Sequence, residues 1–266
     1  MIRTGFLLPS IVFAAWFAVG AAAAPIAYDG FDYAPGPLVG ESGGTGDWKS
    51  SWSGDSDVEV LTGGMSYVDS KGNSMSVTGN RIGLTSGSIT KKAERQLNDK
   101  VGSATETVWA SFLLDGSSGS AVNNVSLGDG LFVGQGGKDS GSTNILLSDQ
   151  DGLVADTGVS AATQLFLVVR IDFQAGDEDV WLWTDPDLDA EPDTGTAIAS
   201  GTLKDFETDF VRAQLSNTAG AIDELRFGFG WFDVLQESPE PVTALLVGLG
   251  LIGLSAHSRR RRVGGS

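Results

Sequence analysis

Apolar side chains recur at every second position in several stretches of this chain, and that alternation constrains the fold more than any other feature. Residues 222–235 give the clearest case, placing on one face Leu225, Phe227, Phe229 and Trp231. The positions between them carry Arg226, Gly228 and Gly230. A period of two is that of a strand with one buried face, whereas a helix repeats every 3.6 residues. The stretch therefore predicts a β-strand.

Further strands are predicted at residues 107–114, 131–134, 165–173, 179–184 and 210–215. The almost continuous apolar run at 165–173 is typical of a strand covered on both faces, and the turn at Gly176 and Asp177 would join it to 179–184 as a hairpin. The 37 glycines favour many chain reversals. With no repeat of 20 to 50 residues, the pattern predicts one all-β, two-sheet antiparallel sandwich.

One segment does not fit that pattern. Residues 90–98 are short and highly charged, and they are predicted to form either the only helix of the body or an exposed loop.

Composition excludes several chemistries. The chain has no cysteine, which rules out disulfides, thiolate metal sites and a cysteine nucleophile. Its single histidine is His257, near the C-terminus, so the body has neither a Ser-His-Asp triad nor a histidine metal site. The net charge of -17 repels nucleic acid and anionic lipid. Cations, neutral glycans and basic surfaces remain possible partners.

The first 24 residues have the layout of a secretory signal peptide: Arg3, an apolar run over 6–19, and small residues up to Ala24. An uncleaved membrane anchor is the alternative. The chain is therefore expected to be exported, and residues 25–237 to form its folded domain.

The C-terminal segment 238–262 has three ordered parts. The tripeptide Pro239, Glu240 and Pro241 disfavours helix and sheet and leaves an extended stretch that a protease can enter. The uncharged run 242–256 is predicted to be a short membrane span, although it is shorter than the roughly 20 residues that a full span needs. The basic cluster that would hold its far end in the cytoplasm consists of Arg259, Arg260, Arg261 and Arg262.

These three parts resemble the PEP-CTERM sorting signal of Gram-negative bacteria. The resemblance implies an exosortase as partner, a membrane protease-transpeptidase that processes the chain near the tripeptide. It also implies attachment to the membrane through the C-terminal helix before processing, and a final place at the cell surface or in the biofilm matrix. An ordinary tail anchor is the alternative.

The body is similar to exported bacterial proteins with laminin-G-like or concanavalin A-like domains. The motifs that carry the similarity are Phe31-Asp32-Tyr33, Gly43-Gly44-Thr45-Gly46, Trp48 to Trp52, residues 166–173, Trp183-Thr184-Asp185-Pro186 and residues 222–228. The resemblance implies a jelly-roll sandwich. These motifs are structural, and they imply no catalytic residue and no particular ligand.

Two groups of residues are candidates for binding. Trp48 and Trp52 could stack on a sugar, although inward packing is the commoner fate of a tryptophan. The alternating acids Asp185, Asp187 and Asp189 could supply oxygen ligands to Ca²⁺, or they could form a solvated acidic turn.

The acid pairs Glu178-Asp179 and Asp223-Glu224 are weaker candidates. Neighbouring residues on a strand point to opposite faces, so neither pair is expected to face one substrate.

The composition and the tail together predict a non-catalytic surface or matrix protein that binds glycans through its sandwich. The alternative is a secreted glycosidase or polysaccharide lyase on the same scaffold, with carboxylates in a groove.

Overall fold

The structure is a computed structural model, and it describes residues 26–75, 77–87, 89–103, 105–138 and 141–235. Most of these residues lie in short strands or in the turns between them. The strands are β1 (Ala27–Asp29), β2 (Gly36–Pro37), β3 (Thr45–Gly46), β4 (Ser53–Gly54), β5 (Val58–Leu61), β6 (Arg81–Leu84), β7 (Lys91–Val101), β8 (Glu106–Asp115), β9 (Asn123–Leu127), β10 (Leu131–Gln135), β11 (Asn144–Asp149), β12 (Gly152–Ser160), β13 (Leu165–Phe173), β14 (Glu178–Thr184), β15 (Ala199–Leu203), β16 (Thr208–Leu215) and β17 (Ala221–Gly228). Two 3-10 helices occupy Thr194–Thr196 and Trp231–Val234. Among these residues, no helix is long and apolar enough to span a membrane.

The strands form two antiparallel sheets packed face to face. The larger sheet has the order β15-β14-β13-β8-β17-β6-β5-β2, with β1 and β3 attached through β17, and the smaller sheet has the order β12-β11-β10-β9-β16-β7-β4. The main hydrophobic core lies between them and includes Phe112, Leu167 and Phe227 from one sheet with Val125 and Val211 from the other. The chain is thus an all-β, two-sheet jelly-roll sandwich, and this prediction is confirmed.

The strands predicted from periodicity are confirmed, five of the six with small changes in their bounds and the last one shorter than predicted. β13 begins and ends where the apolar run does and forms the predicted hairpin with β14. It is also covered on both faces, because Leu167 and Val169 join the core between the sheets while Phe166 and Val168 join a second apolar cluster.

The prediction of a helix or loop at 90–98 is wrong, because residues 91–98 lie in the long strand β7. The inward-facing side chains of β7 are Ala93, Arg95 and Leu97, and all three are buried. Pairing with β16 and burial of every second side chain outweigh the weak strand propensity of its charged residues.

The outer face of the larger sheet, which is the face turned away from the smaller sheet, is covered by two segments. The covering segment 62–80 places Met65, Tyr67 and Met75 in the second apolar cluster. The chain after β17 adds Trp231, whose ring lies 5.5 Å from that of Trp109. β17 ends at Gly228, so the predicted strand 222–235 is too long at its C-terminal end.

Candidate functional site

The residues of the predicted sorting signal lie outside the described residues. This applies to Pro239, Glu240 and Pro241, to the span 242–256, to Arg259 through Arg262, and to the predicted signal peptide 1–24.

The two tryptophans predicted to stack on sugar lie at the edge of the core. Trp52 is 1% exposed, and its indole N–H donates to Asp29 Oδ2 at 2.8 Å. Trp48 is partly buried, donates to the carbonyl of Tyr28, and lies under the guanidinium of Arg95 at 4.5 Å. Trp52 is enclosed, and Arg95 occupies one face of Trp48, so this arrangement favours the packing alternative, most clearly for Trp52.

Asp187 and Asp189 come together, but they do so around an ammonium group. Lys71 Nζ lies 3.2 Å from Asp187 Oδ2 and 2.8 Å from Asp189 Oδ1. These hydrogen bonds raise the pKa of Lys71 and keep its charge in the place that a cation would take. Asp185 is separate, since its Oδ1 accepts a hydrogen bond from the backbone N–H of Phe166.

The geometry of the acidic turn therefore favours the solvated acidic turn over a calcium site. In the described part of the chain, no group of three or more His, Cys, Asp or Glu residues gathers as a metal ion would require. The turn is fastened to the covering segment by Asp69, a residue that no sequence pattern singles out. Asp69 accepts from the backbone N–H of Leu188 at 2.9 Å.

A groove of about 310 Å³ opens beside this turn. It is lined by Trp183, Lys71 and the acids Asp187, Asp189 and Glu191. Trp183 is 3% exposed, and Glu191 lies 3.5 Å from the guanidinium of Arg170. The groove brings an aromatic ring and carboxylates together, which is the combination that a carbohydrate-active enzyme would use, but each acid already faces a base.

The acid pair Asp223 and Glu224 departs from the expected geometry. Register shifts along β17 between Asp223 and Arg226, and Glu224 has a φ of +55°, which marks a β-bulge. Both acids consequently reach the covering segment: Asp223 accepts from the N–H of Met65 and Glu224 from the N–H of Thr78. The prediction that they face opposite ways is wrong.

Both acids are fully buried, so the pair is not at a surface that a substrate could reach. Burial raises the pKa of Asp223 to about 8. Arg226 donates to Glu224 Oε2 at 2.5 Å. The cluster therefore anchors the covering segment to the larger sheet.

A second cluster with buried polar groups lies on the outer face of the smaller sheet, where its five residues are 0–2% exposed. Strand register places the side chains of Ser126, Phe132 and Ser148 side by side across β9, β10 and β11. The next row pairs Gln214 on β16 with Asn124 on β9. We call the surface formed by these five residues the polar face.

Four oxygen atoms of the polar face are buried and have no hydrogen-bond partner. They are Asn124 Oδ1, Ser126 Oγ, Ser148 Oγ and Gln214 Oε1. Leaving a buried polar group unsatisfied costs about 1–3 kcal/mol, so such groups are rare in folded proteins. Other atoms of this kind, such as Arg81 Nε and Trp231 Nε1, lie on separate elements. These four atoms can accept hydrogen bonds from ordered water or from a ligand that reaches the face.

Part of the cover of the polar face is the backbone at Gly137. Asn124 Nδ2 donates to the carbonyl of Gly137 at 3.3 Å, which fixes the orientation of the Asn124 amide. A pocket of about 170 Å³ opens there, lined by Leu146, Ser148 and Leu153 among others. It is smaller than the roughly 300–1,000 Å³ of sites that enclose a drug-sized ligand.

Sequence alone could not find this site. Asn124 and Ser126 alternate with Val125 and Leu127, a pattern typical of a strand with one solvated face. Their neighbours across the sheet come from strands far along the chain, and only the register brings them together.

The fold and the polar face define an all-β sandwich with a candidate binding surface on one sheet. The chain matches no protein-family model and no curated protein. Solved structures with a similar arrangement include the globular domain of T. cruzi calreticulin, at 10% identity over 80% of this chain and 95% of that one, with a TM-score of 0.41. The botulinum neurotoxin serotype D binding domain is 13% identical over 79% of this chain and 50% of that one, with a TM-score of 0.42.

The exoplasmic/lumenal domain of VIP36, in a Ca²⁺- and Man-bound form, is also similar. It is 10% identical over 73% of this chain and 88% of that one, with a TM-score of 0.33. Identities and scores this low assign neither a ligand nor a family to the chain. Membership of a laminin-G-like or concanavalin A-like family therefore stays a prediction.

Proposed function

We propose that this chain is an exported surface or matrix protein that binds a glycan on the polar face and catalyses no reaction. The observation that carries the proposal is the set of unpartnered oxygens on one face of one sheet. A glycan supplies what these atoms lack, because its hydroxyl groups donate hydrogen bonds along an extended chain. Export and processing by an exosortase are inferred from the two ends of the sequence.

Phe132 adds an apolar contact to the polar ones. Its ring position is central, since Ser126 and Ser148 are its partners on the two neighbouring strands. Sugar rings have apolar C–H faces as well as hydroxyl edges, and an aromatic side chain flanked by hydroxyls and amides suits both. Phe132 is 1% exposed, so its ring contacts a sugar only if the residues that cover it move aside. Adjacent strands lie about 4.8 Å apart, so the face from β16 to β11 extends roughly 14 Å, enough for a short oligosaccharide.

The proposal is tested by binding and stability together. The full chain, purified in detergent, is applied to a glycan array with and without Ca²⁺, and any hit is titrated by calorimetry. We expect binding that falls at least tenfold in Ser126→Ala and Ser148→Ala, because each variant removes one acceptor. Ser200→Ala, an exposed serine on the larger sheet, is the matched control and should bind normally.

The stability of the same variants separates a binding role from a structural one. Removing a buried group that has no partner costs the fold nothing, so Ser126→Ala should melt no lower than the unaltered chain without ligand. A blank array in both conditions, or a large loss of melting temperature in this variant, would contradict the proposal.

The alternative, a glycosidase, has its own location in the groove beside Trp183. It predicts the release of reducing sugar from a bacterial polysaccharide, abolished by Asp189→Asn or Glu191→Gln. Release that survives both substitutions would not come from this groove.

A further inference from the structure

A pocket of about 340 Å³ opens at the end of the sandwich where the described chain begins. Its lining includes the apolar residues Ile26, Val101 and Phe229 and the charged residues Asp47, Asp99 and Lys100. Resting on the export that the proposed function includes, we infer that this pocket binds the mature amino terminus, which removal of the signal peptide creates. The α-ammonium group pairs there with Asp47 and Asp99. Cleavage of the signal peptide then completes this end of the sandwich.

Strand register directs the residues before β1 into this pocket. β1 pairs with β17 through Ala27 and Phe227, and with β3 through Ala27 and Gly46. Continued by two residues toward the N-terminus, the pairing with β17 puts position 25 opposite Phe229. The Phe229 side chain is 58% exposed, so its ring has room for the ring of Pro25. Proline also suits the place, because it is tolerated at the first residue of a strand and keeps the residue before it extended.

The length of chain between the cut and the pocket is short. The small residues of the predicted peptidase sites end at Ala24, and a cut directly before or directly after it leaves two residues or one ahead of Ile26. An extended chain advances at most about 3.6 Å per residue, so the new amine lies within about 7 Å of Ile26. Asp47 is adjacent, because its backbone N–H donates to the carbonyl of Ile26 at 2.6 Å. The amine is therefore within reach of the carboxylates.

The charges at the pocket favour an ammonium group. Asp47 Oδ1 accepts a hydrogen bond from the side-chain amide of Asn98 at 2.6 Å, which is a neutral partner. Within the described residues, neither Asp47 nor Asp99 forms an ion pair. Lys100, the one base in the lining, is already paired, since its Nζ lies 2.9 Å from Glu207 Oε2. An α-ammonium group thus meets two carboxylates and displaces no other cation.

The test measures the reactivity of the α-amine in the full chain, exported by cells and purified in detergent. Mass spectrometry first identifies the N-terminal residue, which we expect to be Ala24 or Pro25. Pulsed acylation with an isotope-coded amine reagent near neutral pH then gives the rate at which the α-amine reacts. A free α-amine has a pKa of about 7.7–8.0, and neighbouring carboxylates raise it and leave less of the reactive neutral form. We expect acylation at least fivefold slower in the folded protein than in urea.

Variants assign this protection to the pocket. The double variant Asp47→Asn, Asp99→Asn should restore most of the lost reactivity, and Asp32→Asn, an exposed acid elsewhere, should not. Inserting Gly-Ser-Gly between Ala24 and Pro25 leaves the pocket unaltered and moves the amine about 10 Å farther along the chain. This insertion should restore the reactivity as well. It also keeps the inference testable if the double variant fails to fold.

Three results would count against the inference in different ways. Equal protection of the amine in the unaltered protein and in the insertion variant would overturn it, because the pocket would then hold no amine. An N-terminus at Ala23 or earlier would overturn it too, while leaving export intact. A chain that keeps residues 1–24 would contradict the proposed export together with the inference.

Discussion

Glu224 is the extra residue of a β-bulge, and its presence turns two neighbouring acids toward the same side of the larger sheet. Without it, Asp223 and Glu224 would point to opposite faces, as residues of a regular strand do. With it, both hold backbone N–H groups of the covering segment. Burial then raises the pKa of Asp223 to about 8, from 3.8 in an exposed reference. Between these two pKa values the folded protein therefore keeps a proton on Asp223 that the unfolded chain has released.

The raised pKa of Asp223 predicts that stability falls as pH rises from about 4 to about 8. Below this window the carboxyl is protonated in both states, and above it the carboxyl is ionised in both. Within it the folded state holds one more proton, which lowers the free energy of unfolding by at most about 1.4 kcal/mol per pH unit. Urea unfolding at several pH values measures the slope.

Asp223→Asn should flatten that slope, because the amide does not titrate. Some slope should remain, since burial also raises the pKa of Glu178, Asp185 and Asp233. Asp32→Asn, at an exposed position, is the control and should keep the full slope. Identical slopes in all three proteins would show that Asp223 is ionised when folded.

Residue-level geometry of this kind was the least predictable part of the chain. The acids around Asp185 were predicted as a candidate calcium site from their alternation, but Lys71 comes from a segment more than a hundred residues away in sequence and takes the central position. Bulges and long-range ion pairs depend on partners that alternation does not specify.

The segment after β17 is a small structural element that seals the outer face of the larger sheet. Gly228 ends the strand, and the 3-10 helix Trp231–Val234 turns the chain back over Trp109. Trp231 is 2% exposed, whereas Phe232, one residue later, is 54% exposed. Two adjacent aromatic residues thus have opposite environments.

That contrast predicts that substitution by alanine lowers the free energy of unfolding far more at Trp231 than at Phe232. Trp231→Ala should lower the free energy of unfolding by about 3–5 kcal/mol, because it leaves a cavity against Trp109. Phe232→Ala should change it by no more than about 0.5 kcal/mol, as exposed substitutions usually do. Chemical denaturation of the two variants beside the unaltered chain measures both.

Trp231→Phe adds a second check on the same element. The indole Nε1 of Trp231 is buried without a partner, so replacing the ring by phenylalanine removes an unsatisfied donor while keeping most of the apolar contact. This variant should be clearly more stable than Trp231→Ala. Equal losses for Trp231→Ala and Phe232→Ala would mean that the segment does not pack on the sheet in solution.

Elements were predicted better than residues, for a physical reason. β8, β13 and β14 combine apolar and β-branched residues with strong burial, so local pattern and tertiary packing agree. In β7 they conflict, since charged residues of low strand propensity are held in place by pairing with β16. At 229–235 the period of two continues past the strand's end, and only the packing of Trp231 on the outer face shows that the chain has turned back.

At the scale of the whole molecule, the polar face and the predicted sorting tail are formed by different parts of the chain. The face comprises residues of four strands of the smaller sheet, while the tail at 238–262 lies outside the described residues. If the tail delivers the protein and the face retains it in a polysaccharide, changes to one should leave the other's readout unaltered. The two proposals can therefore be tested in one set of cells.

The tail is predicted to be cut only where an exosortase is present. In such cells the mature protein should lack the arginine-bearing end by mass spectrometry, and in cells without the enzyme it should keep it. Replacing Pro239, Glu240 and Pro241 by alanine should preserve that end in both, because the extended stretch that the protease enters is lost. The double variant Ser126→Ala, Ser148→Ala should be processed normally yet move from the matrix fraction into the medium. An intact C-terminus in both kinds of cell would refute sorting, whereas normal processing with unchanged matrix retention of the double variant would refute glycan anchoring by the face.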